Sequence, residues 1–374
     1  METHDKAPKR RLAEQKLECL VHTSDVVIAG AGIIGLSLAM ELRRAGASVT
    51  VLDRGEPGRE ASSAAAGMLV TGDPDSHPRL AELANASATL YPAFVAELEI
   101  HSEMTVGLEN RGTLYIGEED EQPPFPAVSQ EEMRELEPAL AEHPRVCFLE
   151  EQSVDPRLLV QAALAAAKRI GVVVHHETKV GSVELTKEHQ LQVSTSHAPY
   201  STATFVNSTG AWAASIAGAP APTHPVKGQM LSVIPQRCKL RHVIRSRRVY
   251  LVPRKDGRVL IGSTLEDAGF DKKVDPVTIQ ELLQSAANLA PAIGEAKILE
   301  AWAGLRPGSP DDLPILGPGQ LPGTYVATGH FRNGILLAPI TAVLMSELIQ
   351  GKSLRADLRP FAPARFAASN ALAG

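Results

Sequence analysis

Asp25-Val26-Val27-Ile28-Ala29-Gly30-Ala31-Gly32-Ile33-Ile34-Gly35 decides the fold. The run 25–29 is β-branched and apolar and meets a glycine, which reads as a buried strand. Apolar residues then recur at Ile33, Leu36, Ala39 and Met40, the spacing of a helix face. Arg43 and Arg44 suit its last turn and Gly46 its stop. Residues 48–52 read as a second buried strand, closed by Asp53. A strand–helix–strand unit of this kind has parallel strands.

The glycines carry chemistry at their spacing. Gly30 permits the tight turn, Gly32 lets a pyrophosphate approach the backbone, and Gly35 lets the helix pack on the sheet. Phosphates then meet the free N–H groups of Ile33 and Ile34 and the positive end of the helix. Asp53 stands where a carboxylate accepts ribose hydroxyls, so the pattern reads as dinucleotide binding; the bland alternative is a tight turn with no ligand. Asp53 disfavours a 2′-phosphate, although Arg54 beside it keeps NADP open.

Working outward, residues 61–68 (ASSAAAGM) are small. Such a run lets a backbone lie against a flat cofactor at Ala65, Ala66 and Gly67. Ser62 and Ser63 either bond phosphate or cap a helix start. Asp155-Pro156 is a helix start, followed by an alanine-rich helix over 158–170, a stop at Gly171 and a strand over 172–175. Residues 184–196 and 203–207 read as strands. The stretch 222–298 alternates apolar and polar residues, the pattern of antiparallel sheet. A strand over 324–328 runs through Gly329-His330-Phe331-Arg332-Asn333-Gly334 into an apolar helix over 335–349.

The expected architecture is therefore α/β plus α+β. A Rossmann-like domain is built from residues 25–97, 149–221 and 299–365. A second domain on an antiparallel sheet is inserted as 98–148 and 222–298, the first of these acid- and proline-rich near 118–126. Residues 1–24 read as a mobile polar extension and 366–374 as a tail.

Arg306 and Arg332 each lie in a glycine-rich turn, and the arginine fork matches a carboxylate with two bonds. The alternative partners are structural acids such as Asp311 or Asp312. Tyr250 either bonds a substrate from the inserted sheet or packs. His330 is a ligand, a base or a structural residue. No G-x-S-x-G elbow and no metal-ligand spacing occurs, so no metal is expected.

Composition narrows the classes. The 374 residues are 44% hydrophobic and 21% charged, ordinary for a globular chain. A net charge of −6 gives no support to a nucleic-acid partner. Three separated cysteines, Cys19, Cys147 and Cys238, argue against a disulfide scaffold and for a reducing, cytoplasmic setting. The uncharged run 26–40 holds three glycines and is too short to span a bilayer, so no membrane association is expected.

With these residues in view, the chain resembles the glycine oxidase/D-amino-acid oxidase family of FAD-dependent amine oxidases, over residues 24–365. GHFRNGILLAP at 329–339 is the most specific motif, supported by VYLVPR at 249–254 and AWAGLRPG at 301–308. Together the three point to the glycine oxidases of thiazole (thiamine) biosynthesis. The resemblance implies non-covalent FAD and oxidative deamination of glycine, small amines or D-amino acids. It implies that electrons pass to O2, giving hydrogen peroxide and an imine or glyoxylate, and it suggests a homo-oligomer. It implies that Arg306 and Tyr250 hold the substrate carboxylate, that Arg332 lies beside them, and that Met68 sits near the flavin. The turn Gly329–Leu336, Ile335 included, faces the ring. Val180, Thr209, Gly210 and Trp212 line the far end of FAD. The helix start near Gly334 suits the negative pyrimidine edge of reduced flavin. Two positions depart from the family pattern: Leu265 replaces methionine and Arg248 replaces histidine. Both bear on substrate preference, with D-amino-acid or sarcosine oxidation as the alternative. A nicotinamide-dependent reductase or an inert flavin-binding subunit are the readings from other classes.

Overall fold

A computed structural model describes residues 21–72, 76–117, 125–143 and 145–366. Most of the expected extension, most of the acid-rich stretch 118–126 and the tail from 367 lie outside them.

The first sheet runs in the order Ile315–Pro318, Thr324–Thr328, Tyr200–Asn207, His22–Ala29, Val49–Leu52, Val173–His175. The last five are parallel. Val26 to Ala29 are all buried, as strands covered on both faces must be. On one face pack the helices Ile33–Arg44 and Gly334–Ile349; the second is apolar all round and buries most of its length. Asp155 caps the helix Pro156–Arg169 by accepting the N–H of Arg157 at 2.9 Å and of Leu158 at 3.3 Å. The expected strand over 184–196 is a hairpin of Val180–Leu185 and Leu191–Thr195, with His189 at φ 60 in its turn.

The second sheet is ordered Lys297–Gly308, His224–Ile234, Val259–Gly262, Tyr250–Pro253, Val243–Ser246, Thr113–Ile116, Val146–Leu149. All pairs are antiparallel except Val243–Ser246 with Thr113–Ile116. One face carries its own core under the helices Gln130–Leu136 and Pro276–Leu289. The other face puts Met230, Tyr250 and Trp302 against Ala66 and Met68 of the first body.

Two boundaries differ from expectation. Residues 299–308 stay in the second sheet, because Lys297–Gly308 pairs along the whole of His224–Ile234. Residues 98–102 stay with the first body: the helix Ala81–Ser102 buries Leu98 in that core, and Glu103 at φ 59 ends it.

Candidate active site and cofactor cleft

At the end of the first strand Gly30 turns at φ 102, and a Cβ there would stand 2.4 Å from the Ser208 carbonyl oxygen. A Cβ on Gly35 would stand 2.0 Å from the Gly30 carbonyl oxygen, so only glycine lets the helix come this close. Gly32 heads that helix without a capping side chain. The Ile33 N–H instead donates to Ser62 Oγ at 3.1 Å, which ties the small-residue run to the helix start. Asp53 accepts the N–H of Ala31 at 2.7 Å and of Gly55 at 2.9 Å, and burial pushes its carboxyl above the usual range. The Arg54 guanidinium lies 3.5 Å over the Trp212 ring and 3.1 Å from Glu60.

The opposite wall belongs to the second sheet. Arg306 enters from Lys297–Gly308 and donates to Ser263 Oγ at 2.6 Å and to the Thr264 carbonyl at 3.1 Å. Its guanidinium fills space that Gly228 leaves. Gly262 does the same for Tyr250, whose hydroxyl would stand 2.7 Å from a Cβ there. Burial lowers the basicity of Arg306 and the neighbouring Arg332 adds to this, while Tyr250 acts in the opposite sense. A guanidinium nevertheless keeps its charge. Arg254 holds the floor, donating to the carbonyls of Ala66 at 2.6 Å and Val154 at 3.1 Å, next to Met68.

The motif 329–334 closes the site. Phe331, at φ 47, donates its N–H to the Pro307 carbonyl at 3.0 Å, locking the turn to the strand that bears Arg306. His330 is buried, its Nε2 3.0 Å from Thr341 Oγ1, and burial holds its pKa down at about 3. It is a neutral anchor of the turn. Asp311 is engaged by Arg365 at 2.8 Å, so it does not serve as the partner of Arg306 or Arg332.

These walls enclose one continuous cleft of ≈ 690 Å³. It gathers Gly30, Gly32, Ile33, Ile34, Asp53, Arg54, Ser62, Ala65, Ala66, Gly67, Met68, Val180, Thr209, Gly210 and Trp212 from the first body. With them come Tyr250, Leu265, Arg306 and the turn from His330 to Ile335. Three expected residues do not line it. Gly35 packs beneath, Ser63 donates to the Gly58 carbonyl, and Leu336 is buried in the core. Leu265 is 64% exposed at the rim, and Arg248 also lies there. Sequence reading missed Arg245, Tyr115, Ser263 and Thr264, which all line the cleft. A charged residue inside the strand run Val243-Ile244-Arg245 was the available signal for the first.

Residues 25–348 match the family model described as "DAO: FAD dependent oxidoreductase". The chain belongs to this family. Its cofactor is FAD, and the residues present fit it: a glycine turn without room for a Cβ, a helix start, a carboxylate at the second strand's end and an elongated cleft. The chain is 36% identical over 370 residues to the bifunctional protein ThiO/ThiG of Synechocystis, covering 92% of this chain and 54% of that one. It thus spans about half the length of the bifunctional relatives it matches. A glycine oxidase of Pseudomonas aeruginosa is 33% identical over 357 residues, covering 91% of this chain and 98% of that one. The crystal structure of glycine oxidase from Geobacillus kaustophilus superposes with a TM-score of 0.88 at 31% identity, covering 92% of this chain and 99% of that one. Among the described residues no helix is long and apolar enough to cross a membrane.

Proposed function

We propose that this protein oxidises glycine, together with other small amines or D-amino acids, at the expense of O2. The balance is glycine plus O2 plus water to glyoxylate, ammonia and hydrogen peroxide, with the imine formed first and available to thiazole synthesis. FAD supplies the two-electron oxidation and its return to O2.

The observation that carries the reading is the convergence of Arg306, Tyr250 and the turn 329–334 on one buried wall of the cleft. Arg306 offers a charged fork already oriented by Ser263 and Thr264. Tyr250 adds a hydroxyl, and the two bind a carboxylate between them. Met68 supplies apolar contact inside the cleft and Leu265 at its rim. Arg332 lies beside Arg306 on the same wall. No described residue is placed as a proton-abstracting base, since His330 is neutral and engaged with Thr341. The chain's contribution is therefore orientation and electrostatics. A homo-oligomer working in the cytoplasm completes the proposal.

The test is the visible spectrum of the purified protein under anaerobic glycine. Bleaching that reverses with peroxide release on admitting air supports glycine oxidation. Bleaching only with sarcosine, D-alanine or D-proline moves the substrate and keeps the chemistry. A yellow protein inert to every amine overturns the proposal.

A further inference from the structure

The strand that makes room for Arg306 carries a buried lysine on its other face. Gly228 opens onto the cleft, where the Arg306 guanidinium takes the space of its missing side chain. Side chains alternate along a strand, so Lys227 and Gln229 point away from the cleft. Lys227 is 5% exposed and Gln229 1%. Beside them runs the segment that follows the strand Val259–Gly262, and the side chains of Thr264 and Glu266 meet them there. The Glu266 carboxylate accepts from Gln229 Nε2 at 2.9 Å and from the Thr264 hydroxyl, and it lies 3.4 Å from Lys227 Nζ. The Thr264 hydroxyl in turn accepts the Gln229 N–H at 2.8 Å. The backbones of Lys227 and Glu266 exchange two N–H···O bonds, each of 2.9 Å. Gln229 Oε1 accepts the Asp275 N–H at 2.7 Å, which ties the cluster to the start of the helix Pro276–Leu289.

The same segment orients Arg306 on the cleft side. Ser263 offers its hydroxyl and Thr264 its carbonyl to the two terminal nitrogens, at 2.6 and 3.1 Å. Thr264 is therefore shared: its hydroxyl bonds Glu266 and its carbonyl bonds Arg306. We infer that Glu266 is a positioning residue for carboxylate binding: held by Lys227, Gln229 and Thr264, it fixes the segment 263–266 from which the Arg306 fork takes its orientation. This rests on the reading that Arg306 grips the substrate carboxylate, and it adds to that site a residue that acts through another. A buried ion pair gains little stability over apolar residues of the same shape, because desolvation offsets attraction. The effect of this one is geometric. A fork that meets a carboxylate with two parallel bonds loses one of them when it swings. The negative charge of Glu266 also favours the charged form of Arg306, against which burial works.

The test uses the yellow holoenzyme and acetate, which has the carboxylate of glycine without its amine. The Kd of acetate is read from the flavin spectrum and from competition with glycine, beside KM and kcat. Glu266→Ala is expected to raise the Kd of acetate and the KM of glycine roughly tenfold, as for one lost hydrogen bond to a charged group, with kcat within about threefold and FAD retained. Glu266→Gln keeps an acceptor for Thr264 and should recover most of the loss. Arg306→Lys keeps a charge but leaves no fork to orient, so in that background Glu266→Ala should change Kd by less than about twofold. A general packing defect would instead lower kcat, release FAD or act equally in both backgrounds. An unchanged Kd in Glu266→Ala, or an equal loss with arginine and with lysine at 306, overturns the inference. If Glu266→Ala does not fold, Thr264→Val takes its place, since it keeps the carbonyl and the Lys227–Glu266 pair; a Kd that it leaves unchanged overturns the inference equally. If Arg306→Ala leaves Kd unchanged, the carboxylate reading falls and this inference with it. If Kd responds to both residues while no amine bleaches the flavin, the oxidase reading falls and the positioning role stands.

Discussion

The absent side chain of Gly228 is the berth of the Arg306 guanidinium: a Cβ there would come within 2.2 Å of one terminal nitrogen and 2.5 Å of the other. The glycine and the arginine lie on neighbouring strands of the second sheet and act as one feature. The obstructed group is the movable end of a long side chain. Gly228→Ala should therefore fold, losing ~1–3 kcal/mol of stability from overpacking. It should also lose the orientation of Arg306. We expect kcat/KM for glycine to fall more than tenfold through KM, with FAD retained. An unchanged KM would separate Gly228 from the carboxylate grip.

Arg306 itself has a larger effect. Arg306→Ala removes a buried charge from a carboxylate partner, a loss of about 3 kcal/mol, which is roughly a hundredfold in kcat/KM. Arg306→Lys restores charge without the fork and should recover less than a tenth of the deficit in rate. Steady-state kinetics of the three proteins with glycine would decide it; full rescue by lysine would count against bidentate binding.

Gly35 is constrained by backbone rather than by a flexible chain end. In Gly35→Ala the new methyl meets the Gly30 carbonyl oxygen at 2.0 Å, which cannot move without opening the phosphate turn. The purified variant should be colourless and regain colour only at FAD concentrations more than ~100-fold higher, a cost of about 3 kcal/mol. A variant that purifies yellow would show that the turn tolerates the strain.

His330 gives stability a pH dependence with a definite sign. In the folded chain burial holds its pKa at about 3, against 6.5 ordinarily. Between these values the unfolded chain binds a proton that the folded chain refuses, so stability rises with pH through this window. The contribution of neutral His330 is complete above pH 6.5 and is lost as pH falls toward 3. His330→Gln should flatten urea-unfolding stability between pH 6.5 and 4 by up to ~1.4 kcal/mol per pH unit. Parallel profiles for parent and variant would refute the assignment.

The first body was legible because its signals are local. Gly30, Gly32, Gly35, Asp53 and the Asp155 cap each announce a turn, a strand end or a helix start within a few residues. Arg306, Tyr250 and Arg332 were legible through their motifs. What stayed hidden depends on long-range pairing. Nothing near residue 299 reveals that Lys297–Gly308 stays in register with His224–Ile234. Arg245 sits between Tyr250 and a parallel neighbour, Thr113–Ile116, more than a hundred residues upstream, an arrangement that alternation alone reads as antiparallel. Ser63 and Leu336 looked equivalent to their neighbours until helix geometry turned one toward Gly58 and the other into the core.

The cleft has a consequence for biogenesis. Its lining begins at Ala29 and closes only with Ile335, and the chain passes between the two sheets several times on the way. A growing polypeptide therefore cannot capture flavin on the strength of its glycine turn alone. A chain cut between the glycine turn and the helix Gly334–Ile349 lacks one wall of the cleft and is expected to stay pale.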